Sequence, residues 1–477
     1  MDDLLAWSLA DLARAIRRGA VTSAQAVEAC IARAAVAQPA TNAFVEVMAE
    51  RARAQAAVLD AEARAGRFRG PLHGVPLAHK DCFERDGARM GVGSKLLAEA
   101  PASTSTATAL LMLEAAGAVD LGRLNMNEFV AGPTGQNPHL GDCRNAWDAD
   151  RISGGSSSGS GSAVASGAVF GALGSDTGGS IRLPAAMQGL FGLKPTYGRV
   201  SRAGCFPRAH SLDCVGPMTR TAEDAALMLA ALAGPDARDP TALDAPVPDY
   251  AARLGSAADG TRLAMLADPG EVAPDIAARL DDLHRVATAR YGIIPGRAFA
   301  RIGAIDALGD VLSKVEASTL HGHWMATRGG EYSTAVHSRT EPGLVIPAQR
   351  YLEALALRAR MLEEFLATVM ADADVLICPA VPIPVPTRQE ADMEGAGRVF
   401  PVVAALTRLT RPFSYLGLPV LTVPIGLDRN AMPVAAQLVG RPFGEARLLS
   451  LGARLAADLG WGFRPGLPAR HIQGDRA

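Results

Sequence analysis

Gly174–Ala186 reads GSDTGGSIRLPAA. A Gly-Gly-Ser step loses much conformational entropy when it is ordered. Such a stretch is therefore either slack linker or tightly shaped backbone, and its flanks decide which. AVFGALG (168–174) precedes it and IRLPAAMQGLFGLKP (181–195) follows, both apolar. A segment between an interior strand and an interior helix has no room for a linker's freedom. Glycines so placed aim backbone N–H groups at something anionic. A second small-residue tract, SGGSSSGSG, occupies 153–161.

Outward from these tracts, short apolar strands alternate with helices. Residues from Ser8 to about Ala35 read as two helices broken at Gly19, with Ser8 and Asp11 in capping-box spacing. A third amphipathic helix is expected to run to about Gly66. PLHGVPLAHKDCF (71–83) reads as a buried strand with its entry turns. TALLMLEAAGAVDLGRLN (108–125) reads as a helix, a stop at Gly117 and a strand. A capped helix runs from Thr221 to Gly234, and PDARDPTALDAPVPDY (235–250) reads as an exposed connection that does not by itself mark a domain boundary. One long helix is expected over Ile346–Asp372, leading into DVLICPA (374–380). LGLPVLTVPIG (416–426) and PVAAQLVG (433–440) complete the core strands. The pattern predicts an α/β layered architecture.

The chain's 477 residues are 49% hydrophobic and 20% charged, with a formal charge of −2, a soluble globular profile. No apolar run reaches the length of a membrane span, and the start lacks the pattern of a signal peptide. Basic clusters are absent, which argues against nucleic acid as a partner. The six cysteines are scattered, with no C-x-x-C pair, which suits a reduced cytoplasmic setting. Lysine occurs only at Lys80, Lys95, Lys194 and Lys314, against 43 arginines. Arginine supplies the surface charge, so Lys80 in its apolar setting calls for a lysine's own chemistry. A buried lysine can lose its proton, and arginine cannot.

Phosphate is excluded as the anion, since neither G-x-x-x-x-G-K-[ST] nor G-x-G-x-x-G occurs in register. The oxyanion of an acyl-transfer intermediate remains, and Ser180 behind Gly178-Gly179 suits a nucleophile beside backbone donors. G-x-S-x-G at Ser157 lacks the apolar strand that a nucleophile elbow requires, because the polar RNAWDADRIS (144–153) precedes it. No lysine follows a serine by three positions, and His79, His321 and His323 lack zinc spacing. A lysine base acting from a distance in sequence is left, with Lys80 the best candidate.

These residues resemble the amidase signature family, serine hydrolases of amide bonds with a Ser-Ser-Lys triad. The match is dense over about Gly70 to Thr221, through GVPLAHKD, GGSS, GSDTGGSIRLPAA and GLKPTYGRVS. The resemblance implies Lys80 as base, Ser156 as bridging serine behind a cis peptide bond, and Ser180 as acyl-forming nucleophile. It implies an oxyanion hole of Thr177, Gly178 and Gly179, and an acyl pocket that takes in Asn127 and Thr134. Asp176 and Arg182 fix the loop. One position departs from the family's GGSSGGS: Ser158 stands where a glycine is usual, past the bridging serine, and a local change of loop conformation is expected there. The implied fold is a single domain over 1–477, a central mixed β-sheet covered by helices on both faces. Within it, 1–65 are N-terminal helices, 66–235 the catalytic core, and 236–477 the variable pocket region and C-terminal core.

The implied activity is hydrolysis of a small-molecule linear amide, or a urea- or carbamate-like bond, without metal or organic cofactor. A homodimer is the assembly common in the family. The alternative is the glutamine-hydrolysing component of a tRNA-dependent amidotransferase, its catalytic subunit, which GLKPTYGRVSRAGC and NMNEF also resemble. The stretch 323–361 is closer to the small-molecule amidases. Pocket identity falls to the loops around Met126–Gln136 and His321–Val345.

Overall fold

A computed structural model describes residues 4–296, 298–392 and 399–466. Eleven strands form one sheet: β1 Phe44–Val47, β2 Pro76–Lys80, β3 Val119–Leu124, β4 Gly171–Asp176, β5 Phe191–Lys194, β6 Cys214–Thr219, β7 Leu263–Met265, β8 Ile293–Ile294, β9 Val375–Pro379, β10 Val420–Leu427 and β11 Pro433–Gly440. Their order is β1-β3-β2-β4-β6-β5-β10-β11-β9-β7-β8. β2 lies parallel to both β3 and β4, β7 parallel to both β8 and β9, and the remaining pairs are antiparallel. The sheet is mixed, as expected, and the antiparallel pairing of β5 with β10 joins its two halves.

Both faces are covered. Side chains alternate across a strand, and on β9 the alternate residues divide between two cores. Val375 and Ile377 pack into the larger, Leu376 and Cys378 into another. β9, β10 and β11 are accordingly near-continuous apolar runs, as strands buried on both sides must be.

The N-terminal helices form at Leu9–Arg17 and Ser23–Thr41, on either side of Gly19 in the left-handed region. Ser8 Oγ caps the first by accepting from Asp11 N at 3.0 Å. The expected third helix is shorter than its periodicity suggests. β1 interrupts the run, and helix Ala49–Arg64 follows it. β1 exists through its pairing with β3, a long-range contact that local pattern does not encode. The long helix expected over 346–372 forms at Ala348–Thr368. Among the described residues, no helix is long and apolar enough to cross a membrane.

Candidate active site

Three segments converge at the ends of β2 and β4. β2 ends at Lys80, and β4 lies alongside in parallel register with Leu77 opposite Gly171. β4 runs out into the Thr177–Ile181 turn, which enters the short helix Arg182–Gln188. The Ser153–Gly161 tract packs across both. Its second half is the first turn of the fully buried helix Ser158–Ala165.

The small residues in these tracts answer to space. A Cβ on Gly159 would lie 2.3 Å from Ala43 O and 2.5 Å from Asn125 N. Gly154 has φ +79°, and a Cβ there would meet Pro184 Cα at 2.7 Å. Neither stretch is linker: every residue from Ser153 to Gly161 is buried.

Lys80 is fully buried, and its Nζ lies 2.7 Å from Ser156 Oγ and 3.0 Å from Ser175 Oγ. Burial pushes its pKa below the ordinary lysine value, with Cys82, Cys205 and the carboxylates of Asp213 and Asp176 opposing. The Gly155–Ser156 peptide bond is cis. Ser157 N donates to Ser180 O at 3.3 Å, holding the two tracts together. The Ser180 hydroxyl makes no hydrogen bond within the described residues, and Ser180 lines a cavity of about 630 Å³, counting its mouth. Lys80, Ser156 and Ser180 are thus brought to one place from three separate segments.

Asp176 holds the turn. It accepts from Gly179 N at 2.7 Å and Ile181 N at 3.1 Å, and pairs with the Arg182 guanidinium through two contacts of 2.9 Å. Burial raises the Asp176 pKa, but Arg182 and Lys194 outweigh it and bring it to about 2. The Gly179 N–H is therefore committed to Asp176. The Thr177, Gly178 and Ser180 N–H groups donate to nothing within the described residues, so these three are the free donors at the turn. Thr177 bonds Asp213 Oδ1 through its hydroxyl at 2.5 Å.

Asn127 and Thr134 are not among the residues that line this cavity, although Asn127 N donates to Ser156 O at 3.2 Å. Asn127 Nδ2 donates to Gln136 O at 2.8 Å, and its Oδ1 accepts from Gly135 N at 2.9 Å. The side chain braces its own loop, and with Thr134 it lines a neighbouring polar cavity. The residues between them, Val130 to Pro133, reach the Ser180 cavity instead. Ser157 and Ser160 bond the β4 carbonyls of Ser175 and Leu173, at 3.1 Å each, as scaffold. Ser158, the departure from the usual glycine, opens its helix and donates to Asn125 O at 3.3 Å.

The rest of the cavity wall carries little signal in the sequence. Arg208 stands there, with Lys314, Arg339 and Arg411 from the second half of the chain. Arg339 falls in the 321–345 region to which pocket identity was assigned. Nothing in CFPRAHSLD (205–213) signals Arg208.

Known proteins share this fold. A family model described as Amidase matches residues 25–449. A glutamyl-tRNA(Gln) amidotransferase chain of Methylococcus capsulatus, the one designated A, is 36% identical, the alignment covering 95% of this chain and 97% of that protein. A solved structure reported as part of a vestigial protein complex revealing the evolutionary origins of an s-triazine catabolic enzyme superposes with TM-score 0.90. It is 32% identical, over 96% of this chain and all of that one. The structure of the corresponding glutamyl-tRNA(Gln) amidotransferase chain from Thermotoga maritima superposes with TM-score 0.75 at 26% identity, covering 91% of each chain.

Proposed function

This chain belongs to the amidase family, and on that premise we propose that it hydrolyses a small linear amide through an acyl-enzyme on Ser180. The observation that carries the reading is the buried Lys80 Nζ at 2.7 Å from Ser156 Oγ, with the cavity-lining Ser180 tied to the same tract by Ser157 N at 3.3 Å. Burial lowers the Lys80 pKa and so favours its neutral form, whose lone pair accepts the Ser156 hydroxyl proton while an N–H donates to Ser175. Ser156, both donor and acceptor, takes the Ser180 proton as Ser180 Oγ attacks the carbonyl carbon. The Gly178 and Ser180 N–H groups face the oxyanion. Return of the proton through Ser156 to the nitrogen releases the amine, and water attacks the ester by the same relay. The products are a carboxylic acid and ammonia or an amine.

Two settings fit this chemistry. The 36% identity to glutamyl-tRNA(Gln) amidotransferase chains supports glutamine hydrolysis within a complex, and supports it better than it supports a free-standing amidase. The higher superposition onto the s-triazine-related structure, and the sequence of 323–361, support a small-molecule substrate. The test is ammonia release by the purified chain from a panel of linear amides and from glutamine, with Ser180→Ala as control. Turnover of simple amides by the chain alone, lost in Ser180→Ala, is the expected result. Activity on glutamine only, and only with added partner chains, selects the amidotransferase setting. Wild-type rates in Ser180→Ala overturn the mechanism.

A further inference from the structure

Ser175, whose hydroxyl accepts from Lys80 Nζ, lines a second cavity of about 600 Å³, counting its mouth, of which Ser180 is not part. Cys205 lines it too. Five of the six cysteines are buried, and Cys205 alone is partly exposed. Its Sγ lies 3.8 Å from Cys82 Sγ, and Cys82 Sγ lies 3.8 Å from Ser175 Oγ. A line of contacts therefore runs from the cavity through two thiols to the serine that holds the Lys80 amine.

The backbone already brings the two cysteines together. Phe83 and Cys205 form an antiparallel bridge, and Phe206 N donates to Cys82 O at 2.7 Å. Paired segments lie about 4.8 Å apart, inside the Cα separation of about 4.4–6.8 Å that a disulfide takes. Two thiols in contact serve packing alone where both are sealed and inert. Here one lines a cavity, and the other is disposed to ionise. Burial raises the Cys82 thiol, but the hydrogen bond from Cys205, the neighbouring Lys80 and Ser175 outweigh it and bring it below the ordinary value.

We propose that Cys82 and Cys205 form a reversible oxidation site, at which a peroxide converts the two thiols to a disulfide that slows turnover. A thiolate of the pair attacks one peroxide oxygen, the O–O bond breaks, and the departing hydroxide takes up a proton to become water. The second sulfur attacks the sulfenic acid so formed. S–S forms, S–O breaks, and the oxygen leaves with the proton of the second thiol as another water. The two sulfurs lose two electrons, and the peroxide gains them. Closing the sulfur pair from 3.8 Å to the bonded distance of about 2.05 Å draws Cys82 away from Ser175. Cys82 follows Lys80 by two residues at the end of β2, so the closure shifts the amine against Ser156. The effect on turnover rests on the reading of Lys80 as base, and a displacement of about 1 Å costs such a group up to about 100-fold.

The experiment treats the reduced full chain with hydrogen peroxide and removes the excess with catalase. Free thiols, a peptide map without reductant and the rate of Ser180 labelling by a fluorophosphonate are then read. The expected result is loss of two thiols, a cross-link joining Cys82 to Cys205, and labelling slowed by about tenfold or more, all reversed by dithiothreitol. Cys205→Ala is expected to label at the untreated rate and to keep that rate after peroxide. Absence of the cross-link, a cross-link with labelling unchanged, slowing that dithiothreitol does not reverse, or slowing that persists in Cys205→Ala overturns the site. Failure of Ser180 as nucleophile would show as reduced wild-type chain labelling no faster than Ser180→Ala. The peptide map reads the cross-link in either case, so the two readings fail separately.

Discussion

Lys80 is the residue on which the proposed chemistry turns, and its burial makes two expectations that pull apart from a structural role. In the folded chain its pKa lies below the ordinary value of about 10.4, which the unfolded chain keeps. Between those two values the unfolded state binds more protons, so the Lys80 contribution to stability rises with pH across that window. Activity is expected to rise with pH through the depressed pKa, as protonated Lys80 gives way to the base. Lys80→Met should lose activity by orders of magnitude while stability holds or rises by up to about 2 kcal/mol, since an apolar chain suits the site better than a desolvated amine. Lys80→Arg should be nearly as inactive despite its charge, because guanidinium accepts no proton. Turnover and melting temperature of both variants check this. Substantial activity in Lys80→Arg would reduce Lys80 to an ion-pair residue.

At the scale of elements, the Asp176–Arg182 pair fixes the strand-to-helix turn that presents Ser180. Both side chains are fully buried, and Arg182 also reaches Thr410 O at 2.8 Å and Ser414 Oγ at 2.6 Å. Asp176→Ala would leave that guanidinium without its counter-charge, and unfolding free energy is expected to fall by about 3–5 kcal/mol in denaturant titration. The sign with pH follows from a carboxylate held at about 2. The contribution is full above the ordinary carboxylate pKa and disappears as pH falls toward 2. A loss under 1 kcal/mol would show that the turn is held by its backbone alone.

Much at this scale is legible in local pattern. Ser8 and Thr221 announce their helices by hydrogen-bonding chemistry confined to four residues, and both caps form. Lys80, Ser156 and Ser180 stand out because their neighbours are apolar or glycine. What escapes is set by distant partners. FVEV is a strand because β3 lies beside it. Helix Ile302–Arg328 and Arg208 become pocket walls only when the second half of the chain closes over the first. Asn127 looks like a pocket residue in sequence, yet its amide is satisfied by its own loop.

At the scale of the molecule, that closure makes a prediction about cooperativity. β1 to β6 fill one side of the sheet and β7 to β11 the other, with the seam at β5 and β10. Arg182 crosses it to Thr410, Ser414 and Gln437, and Trp147 stacks on Trp461 with ring centroids 6.2 Å apart. The cavity itself takes Ser180 and Arg208 from one half, and Lys314, Arg339 and Arg411 from the other. Separating the halves would expose the paired edges of β5 and β10 and take from the Arg182 guanidinium its partners across the seam. The Pro235–Tyr250 connection, by contrast, is largely exposed and lies outside the strands. Proteolytic nicking of that connection is therefore expected to leave the two fragments associated on gel filtration, with activity retained. The intact chain should unfold in one transition, coincident by far-UV circular dichroism and tryptophan fluorescence. Two resolved transitions, or fragments that part after nicking and each melt cooperatively, would mean that the seam joins two separate domains and that the cavity is an interface between them.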